Sequence, residues 1–388
     1  MENKKNKSSD LRMFEFGAGA ALPVFEEVIN QKPYVWFGAD NLWPIHTIQM
    51  YNWSSINRAC ANAVINGVIG KNMMIDGQEA IKMVNSTETI YDVFKKVAMD
   101  FVIHNGFAVN TIKRRDSQGI ANFYHMDFSK LRSGKVDDYD FVKEFYYSAD
   151  WRNIQKYKPI EIPAFNLQGD GDSQVYYSFP YAPDQKFYPL PYWIGGRMAV
   201  QLDIEMMNYE LNYIQQGYFP SLFISLNNGG GASEEEREQI YRHLEEKYSS
   251  SNKSGGLILA FSDSKEQEPT ITPIQAASNA DMFLALSDQV EQKILTSWNI
   301  TNPLLVGIKT AGQLGNKQEI IEGYEHFIKS VVIPKQQYLI RQFEKLLFFM
   351  DGQTHKITIE QNKLFEDNTA TGSMVNPLEK PEDTEVVI

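Results

Sequence analysis

The chain has 388 residues, of which 43% are hydrophobic and 22% charged, a composition typical of an ordered protein with more than one substructure. Its formal net charge of -12 disfavours tight wrapping of DNA, although loose contact with a sliding polyanion stays open. The single cysteine, Cys60, excludes an intrachain disulfide and a cysteine-based metal site, and favours a reducing, cytoplasmic compartment. The apolar stretch GAGAALPVF is too short for a signal peptide or a membrane span.

Two helices are predicted in the first third of the chain, after thirty residues with few regular signals. WSSINRACANAVINGVIG can be capped by Ser54 or Ser55. A second helix is predicted over about 89–104. Helical spacing places these apolar residues on one face of each helix: Ile56, Cys60, Val64 and Val68 in the first, and Ile90, Phe94, Val97 and Phe101 in the second.

A β-hairpin is predicted next, because FAVNTIKRR and IANFYHMDF both alternate in character and flank the turn DSQG. Residues 136–193 are rich in Tyr, Phe, Trp, Pro and Gly, and we expect irregular β structure there, with strands in FVKEFYYSA and QVYYSF. After Gly196 a helix of about twenty residues is predicted. Its expected apolar stripe consists of Met198, Leu202, Met206, Tyr209 and Tyr213.

A small α/β module follows, with strand SLFISL, a helix capped by Ser233 and strand LILAF. It is an insertion between two helices, the second of which spans about 279–298 and carries Phe283, Leu286, Val290, Ile294 and Trp298 on one face. A glycine-rich loop then leads to a long helix from Lys317, which we expect to bend near Pro334. THKITIEQ is strand-like, and the polar tail from residue 368 completes the chain.

Catalytic and metal-binding motifs are absent from the sequence. The six histidines show no HExxH and no paired ligand spacing, and no GxxxxGK[ST], GxGxxG or GxSxG is present, so we predict no catalytic residue, no metal and no cofactor. The alternative from another class is an enzyme acting on polysaccharide, with residues 139–193 as an aromatic platform and carboxylates such as Asp150 and Glu161.

Two segments are candidates for binding. In the loop, Pro303 disfavours the α conformation at Asn302, and the glycines of KTAGQLGN allow close approach. The loop side chains that can meet a phosphate backbone weakly are Lys309, Thr310, Gln313, Asn316 and Lys317. An ordinary glycine-rich connector is the alternative. The run EEEREQ is either a solvated helix face or an acidic docking surface, with Glu234, Glu235, Glu238 and Arg242 as its candidate residues.

The order of these elements resembles the phage portal protein family of the HK97-like, long-tailed type. Five segments carry the resemblance, which covers most of the chain: SSINRACANAVINGVIGKNM, FVIHNGFAVNTIKRRDSQGIANFYHMD, YELNYIQQGYFPSLFISLNNG, DMFLALSDQVEQKILTSWNITNPLLVGI and NKQEIIEGYEHFIKSVVIPKQQYLIRQFEKLL. The resemblance is imperfect in the fourth segment, where Asn302-Pro303-Leu304-Leu305-Val306-Gly307 has one extra apolar residue, and after Phe349, where the chain is short.

The resemblance implies an α+β portal fold. By it the chain divides into an N-terminal arm (1–30), a wing (31–194), a first stem helix (195–217), a clip (218–276), a second stem helix (277–300), a tunnel loop (301–316), a long kinked helix (317–349) and a short crown and tail (350–388). It further implies a dodecameric ring at one capsid vertex, a channel for DNA packaging and ejection, and docking of the terminase large subunit and a head-tail adaptor. The major capsid protein and weakly held double-stranded DNA are further implied partners. The resemblance also implies that the protein is located in the virion, is assembled in the host cytoplasm and does not bind a membrane.

Overall fold

The computed structural model describes residues 25–116, 119–169, 171–215, 222–226, 257–261, 279–308 and 317–362. The helices in these residues are α1 Trp43–Trp53, α2 Ser55–Ile69, α3 Ile90–His104, α4 Arg197–Gln215, α5 Asn279–Ser297, α6 Lys317–Phe327 and α7 Ile333–Asp351. A π-helical segment, Ile328–Val332, joins α6 to α7. Short 3-10 turns span Phe128–Lys130, Trp151–Asn153, Ile194–Gly196 and Pro303–Val306.

The strands form small sheets rather than one large one. They are β1 Glu27–Val28, β2 Trp36–Phe37, β3 Asn72–Ile75, β4 Gln78–Glu79, β5 Phe107–Lys113, β6 Ile120–Met126, β7 Leu131–Ser133, β8 Glu144–Tyr147, β9 Ile160–Pro163, β10 Ser173–Ser178, β11 Leu222–Leu226, β12 Leu257–Phe261 and β13 Ile357–Glu360. The described sheets have the orders β1-β2, β10-β5-β6, β13-β3-β4, β7-β8-β9 and β11-β12. All these pairs are antiparallel except β11 and β12, which run parallel.

Local capping signals position α2 and α3. The Ser54 side chain accepts a hydrogen bond from the Asn57 amide at the start of α2. At the start of α3, Thr89 and Asp92 each accept a hydrogen bond from the other's backbone amide, which is a capping box. The helix ends where Asn105 takes a left-handed conformation with φ 64°. The predictions of both helices are confirmed to within a residue or two.

The main core lies where α2, α3 and α7 meet the β10-β5-β6 sheet. Phe343 of α7 is fully buried there, with ring centroids 5.1 Å from Phe94 of α3 and 6.1 Å from Phe123 of β6. Burial of a side chain of this size stabilises the fold by about 2–3 kcal/mol. The predicted hairpin is confirmed as β5 and β6, and the predicted strand QVYYSF becomes β10 on the other edge of β5.

The long helix is continuous through the predicted bend. Instead of a simple break at Pro334, the turn before it is π-helical, and the Ile333 amide donates to the Ile328 carbonyl five residues back. A π segment allows the helix to accommodate a residue that has no backbone N–H. The strand predicted in THKITIEQ is confirmed as β13, which pairs with β3 from the first third of the chain.

The apolar stripe predicted on α4 is only partly covered by the chain's own core. Val200 and Ile204 of this helix are buried in its own chain, on the side opposite Met198 and Leu202, and Met206 of the stripe is half-buried against the core. Met198 and Tyr209 of that stripe are 60% and 52% exposed. Met198, Leu202 and Tyr209 of the stripe are therefore exposed within one copy of the chain.

Candidate functional site

Most of the predicted binding residues lie outside the described residues. This holds for Lys309, Thr310, Gln313 and Asn316 of the loop and for Glu234, Glu235, Glu238 and Arg242 of the predicted clip. Lys317 is the first residue of α6, and only its backbone is described. The roles assigned to these nine residues stay predictions.

The start of the predicted loop is a packed turn. Asn302 is buried in an extended conformation, and its side chain accepts a hydrogen bond of 3.0 Å from the Leu304 amide. Gly307 ends the 3-10 turn in the left-handed region, with φ 82°. Gly323 of α6 lies close to this turn, because a Cβ there would be 3.2 Å from the Asn302 side chain. The turn thus holds one end of the loop against α6, and residues 309–316 remain as the candidate channel segment.

The two strands of the predicted clip are both present and run parallel, from Leu222↔Leu257 to Leu226↔Phe261. Parallel neighbours cannot be joined by a tight hairpin, and they need a crossover of about a dozen residues or more, usually helical. Residues 227–256, which connect them, are long enough for the helix that the sequence predicts in this connection.

The helices α4 and α5 form a hairpin-like pair that is anchored at one end. Trp193, just before α4, stacks on Trp298, just after α5, with ring centroids 5.9 Å apart. The Trp298 indole N–H donates to the buried Asn57 side chain of α2 at 2.8 Å. The Ser54 hydroxyl donates to Asp203 of α4 at 2.6 Å. These contacts fix the base of the pair on the core helix α2.

Close approach at this base depends on a glycine. A Cβ at Gly196 would lie 2.4 Å from the Ser297 hydroxyl oxygen and 2.6 Å from its Cβ. Contacts that short do not occur between side chains, so the backbone before α4 can lie against the end of α5 only because position 196 has no side chain.

An open groove runs along one side of this pair, with a volume of about 920 Å³. The residues that line it include the apolar Met198, Leu202, Leu286 and Val290. Polar side chains surround them: Gln201, Glu205, Gln289, Gln292, Lys293 and Thr296. An apolar floor with a polar edge is the ordinary composition of a protein-binding surface. The sequence analysis did not predict this groove, and the only indication of it was the apolar stripe that contains Met198 and Leu202.

Much of the aromatic tract of residues 139–193 forms core, although Tyr139, Phe141 and Tyr181 are exposed. Tyr188 stacks on Phe37 with ring centroids 4.0 Å apart, and Trp151 packs edge-on against Tyr34. Both Tyr188 and Trp151 are at least 95% buried. The two predicted carboxylates, Asp150 and Glu161, each have a different hydrogen-bond partner.

Asp150 binds Arg152 and caps the turn at Trp151, and the Arg152 hydrogen bond lowers the pKa of Asp150. Glu161 accepts a hydrogen bond of 3.2 Å from the Tyr146 hydroxyl. A glycosidase needs a carboxylic acid with a raised pKa at a shared cleft. The lowered pKa of Asp150 is opposite to what the role of that acid requires.

No group of three or more His, Cys, Asp or Glu side chains that could hold a metal ion occurs among the residues the structure describes. Within the same residues, no helix has the length and apolarity required to cross a membrane.

Comparisons with known proteins identify structural rather than sequence relatives. No family model matches the sequence, and no curated protein matches it either. Similar solved structures include a chain of the virion of a native gene transfer agent (GTA) particle, with a TM-score of 0.55 at 10% identity, covering 83% of this chain and 84% of that chain.

A chain of the neck of the native GTA particle, computed with C12 symmetry, has a TM-score of 0.51 at 10% identity and covers 81% of this chain and 84% of that chain. An HK97 family phage portal protein from Corynebacterium diphtheriae has a TM-score of 0.45 at 10% identity, covering 80% and 94%. The likeness to the two GTA chains, at 10% identity, shows a shared fold. The chain therefore has the α+β fold of a chain in the virion and neck of a phage-like particle, which is the fold that its resemblance to the phage portal proteins predicts.

Proposed function

We propose that this chain is a portal protein, the subunit of a ring at the neck of a phage or phage-like particle. The observation that supports this most is the fold shared over 81% of the chain with a component of a neck computed with C12 symmetry. The corresponding localisation is the virion, and assembly would take place in the host cytoplasm. The polysaccharide-acting enzyme has less support, because Trp151 and Tyr188 of its aromatic tract are buried and the pKa of Asp150 is lowered by its hydrogen bond with Arg152.

The ring is the first part of this proposal to test. A closed ring requires apolar surface that one copy leaves uncovered, and α4 carries such surface. Light scattering of the purified protein should give about twelve times the subunit mass of 44.5 kDa, and electron microscopy should show a central hole. A monomer at high concentration, in the presence of capsid and scaffold components, would contradict the ring.

The channel is the second part. We infer that residues 309–316, between the packed turn at Pro303–Val306 and the start of α6, contact double-stranded DNA. Lys309, Thr310, Gln313, Asn316 and Lys317 would touch phosphates weakly, which suits a channel through which DNA must slide. The net charge of -12 favours weak contact of this kind over retention.

The test of the channel is a packaging assay with Lys309→Ala and Lys317→Ala combined. Packaged DNA should fall severalfold while ring mass stays unchanged, because the substitution removes two positive charges from each subunit. Lys158→Ala, at an exposed position in the loop before β9, is the matched control and should have no effect. Equal effects of both changes would contradict the assignment.

Docking is the third part. We infer that the segment between β11 and β12 binds the terminase large subunit during packaging and a head-tail adaptor afterwards, with Glu234, Glu235, Glu238 and Arg242 at the contact. Contact of the wing with the major capsid protein belongs to the same proposal. Charge reversal at Glu234 and Glu235 should weaken terminase binding in a pull-down with assembled rings. Unchanged binding and adaptor attachment would refute this docking site.

A further inference from the structure

The pair of helices α4 and α5 is apolar on two opposite faces. Met198 and Met207 of α4 are 60% and 57% exposed. They are nine residues apart, about two and a half helical turns, so they lie on opposite sides of α4. Leu211, 54% exposed, follows Met207 by one turn and lies on the same side as Met207. Met198 faces the groove described above, so Met207 and Leu211 face away from it.

The second helix shows the same division. Leu284 of α5 is 66% exposed, and Lys293, nine residues later, lines the groove. By the same helical geometry, Leu284 lies on the side of α5 opposite Lys293. Met207, Leu211 and Leu284 are therefore exposed apolar residues on the reverse side of the pair, and we call these three residues the ridge.

The ridge continues a face that is buried nearer the base. On that side of α4, Val200 and Ile204 are buried against the chain's own core, and on that side of α5, Leu295 is buried. Farther from the base the core no longer covers this side, and the same stripe reaches solvent at Met207 and Leu211. Exposed apolar residues gathered in this way mark an interaction surface rather than scattered surface positions.

Charged side chains lie on both faces. Among the residues the structure describes, Lys293 at the groove has no ion-pair partner. Two exposed acidic residues lie near the ridge. Glu210 immediately precedes Leu211 on α4, and Asp288 lies one turn after Leu284 on α5. Glu205 also lines the groove, so the groove carries one acidic and one basic side chain, and Lys293 is available to the acidic residues beside the ridge of a neighbouring copy. Contact between unlike faces is required in any ring of more than two copies.

We propose that the ridge of one copy, formed by Met207, Leu211 and Leu284, packs into the α4–α5 groove of the next copy around the ring. The occupant is a second copy of this chain, and the contact joins two different surfaces, as a cyclic assembly of more than two copies requires. This inference rests on the ring of the proposed function and specifies which faces of the two helices meet within it.

The experiment is site-specific cross-linking in assembled protein. Leu202→Cys places a thiol in the groove and Met207→Cys places one on the ridge. Cys60 can stay, because it is fully buried and burial raises the pKa of its thiol to about 12, which suppresses its reactivity. The two single variants are mixed, assembled and treated with a short bismaleimide linker.

Dimers should form in the mixture and in neither variant alone, and a chain carrying both substitutions should give a ladder of covalent oligomers. The matched control is Met99→Cys, at a 41% exposed methionine of α3, mixed with Leu202→Cys, which should give no dimer. Mass spectrometry of the linked peptides identifies residues 202 and 207 in different chains.

The outcomes separate this inference from the ring itself. A ring by light scattering without the 202-to-207 link, or with links between two copies of residue 202, overturns the ridge and groove pairing and leaves the ring intact. A protein that remains monomeric under assembly conditions overturns both proposals.

Discussion

The base of the α4–α5 pair provides a sharp test, because Trp298 makes both a stacking contact and a hydrogen bond. Trp298→Phe keeps an aromatic ring beside Trp193 but removes the N–H that reaches the Asn57 side chain at 2.8 Å. Asn57 is fully buried, so its side-chain oxygen loses its donor without access to water. An unsatisfied buried acceptor costs about 1–3 kcal/mol, and the smaller ring adds about 1 kcal/mol.

The expected loss is therefore about 2–4 kcal/mol, and thermal unfolding followed by circular dichroism should show a midpoint lower by about 4–8 °C. Trp53→Phe is the control, since Trp53 is 63% exposed and its replacement should change stability by less than about 0.5 kcal/mol.

A double-mutant cycle isolates the hydrogen bond. Asn57→Ala in the Trp298→Phe background removes the unsatisfied oxygen, although it also removes the bond that Asn57 donates to the Met50 carbonyl. The double variant should therefore be more stable than the sum of the two single losses predicts, by about 1–2 kcal/mol. Strict additivity, or a loss at Trp298→Phe no larger than that at Trp53→Phe, would refute the reasoning.

Three further predictions concern packing and titration. His355 lies between Asp76 at 2.7 Å and Asp351 at 2.9 Å, and hydrogen bonds to both carboxylates raise its pKa. Its stabilising contribution is complete below the ordinary histidine pKa and is lost as pH rises through the raised value, so His355→Asn should remove a fall in melting temperature above pH 6.5. Burial lowers the pKa of Lys335 to about 8, so stability should rise with pH from about 8 towards the ordinary value of 10.5. Lys335→Met should abolish that rise and raise the melting temperature at pH 7. A lower melting temperature of the variant at pH 7 would contradict this prediction. At Gly67 a Cβ would lie 2.7 Å from a Val332 methyl, so Gly67→Ala should destabilise by about 1–2 kcal/mol and Val332→Ala in the same chain should recover part of the loss, both measured by thermal unfolding.

Local signals predicted the parts of the fold that local physics determines. Helix α3 could be placed from its apolar stripe, and the structure adds the capping box of Thr89 and Asp92 at its start. Helix α1 was missed because its buried face includes a polar residue. Thr47 is fully buried and satisfies its hydroxyl on the Trp43 carbonyl, so the apolar stripe is interrupted.

Long-range pairing could not be predicted in the same way. β13 pairs with β3 through Ile357↔Ile75 and its neighbours, and β10 pairs with the outer edge of β5. A four-residue strand shows its extended character in sequence, but its partner depends on how α7 brings it back to the core. The bend at Pro334 was predicted from the missing N–H, whereas the π segment before it depends on packing against α2.

The same limit explains α4, where the sequence showed an apolar stripe and the structure leaves it exposed. Periodicity reports that a helix face is apolar, and it does not report which molecule covers that face. In α4 one face is buried by the chain's own core through Val200 and Ile204, and the opposite face, with Met198 and Leu202, is open. A helix that is apolar on both sides within a single copy is unfavourable in water unless a partner covers the second side. A neighbouring copy that covers the second face, as in the proposed ring, would explain the stripe, and the cross-linking of residues 202 and 207 tests that explanation directly.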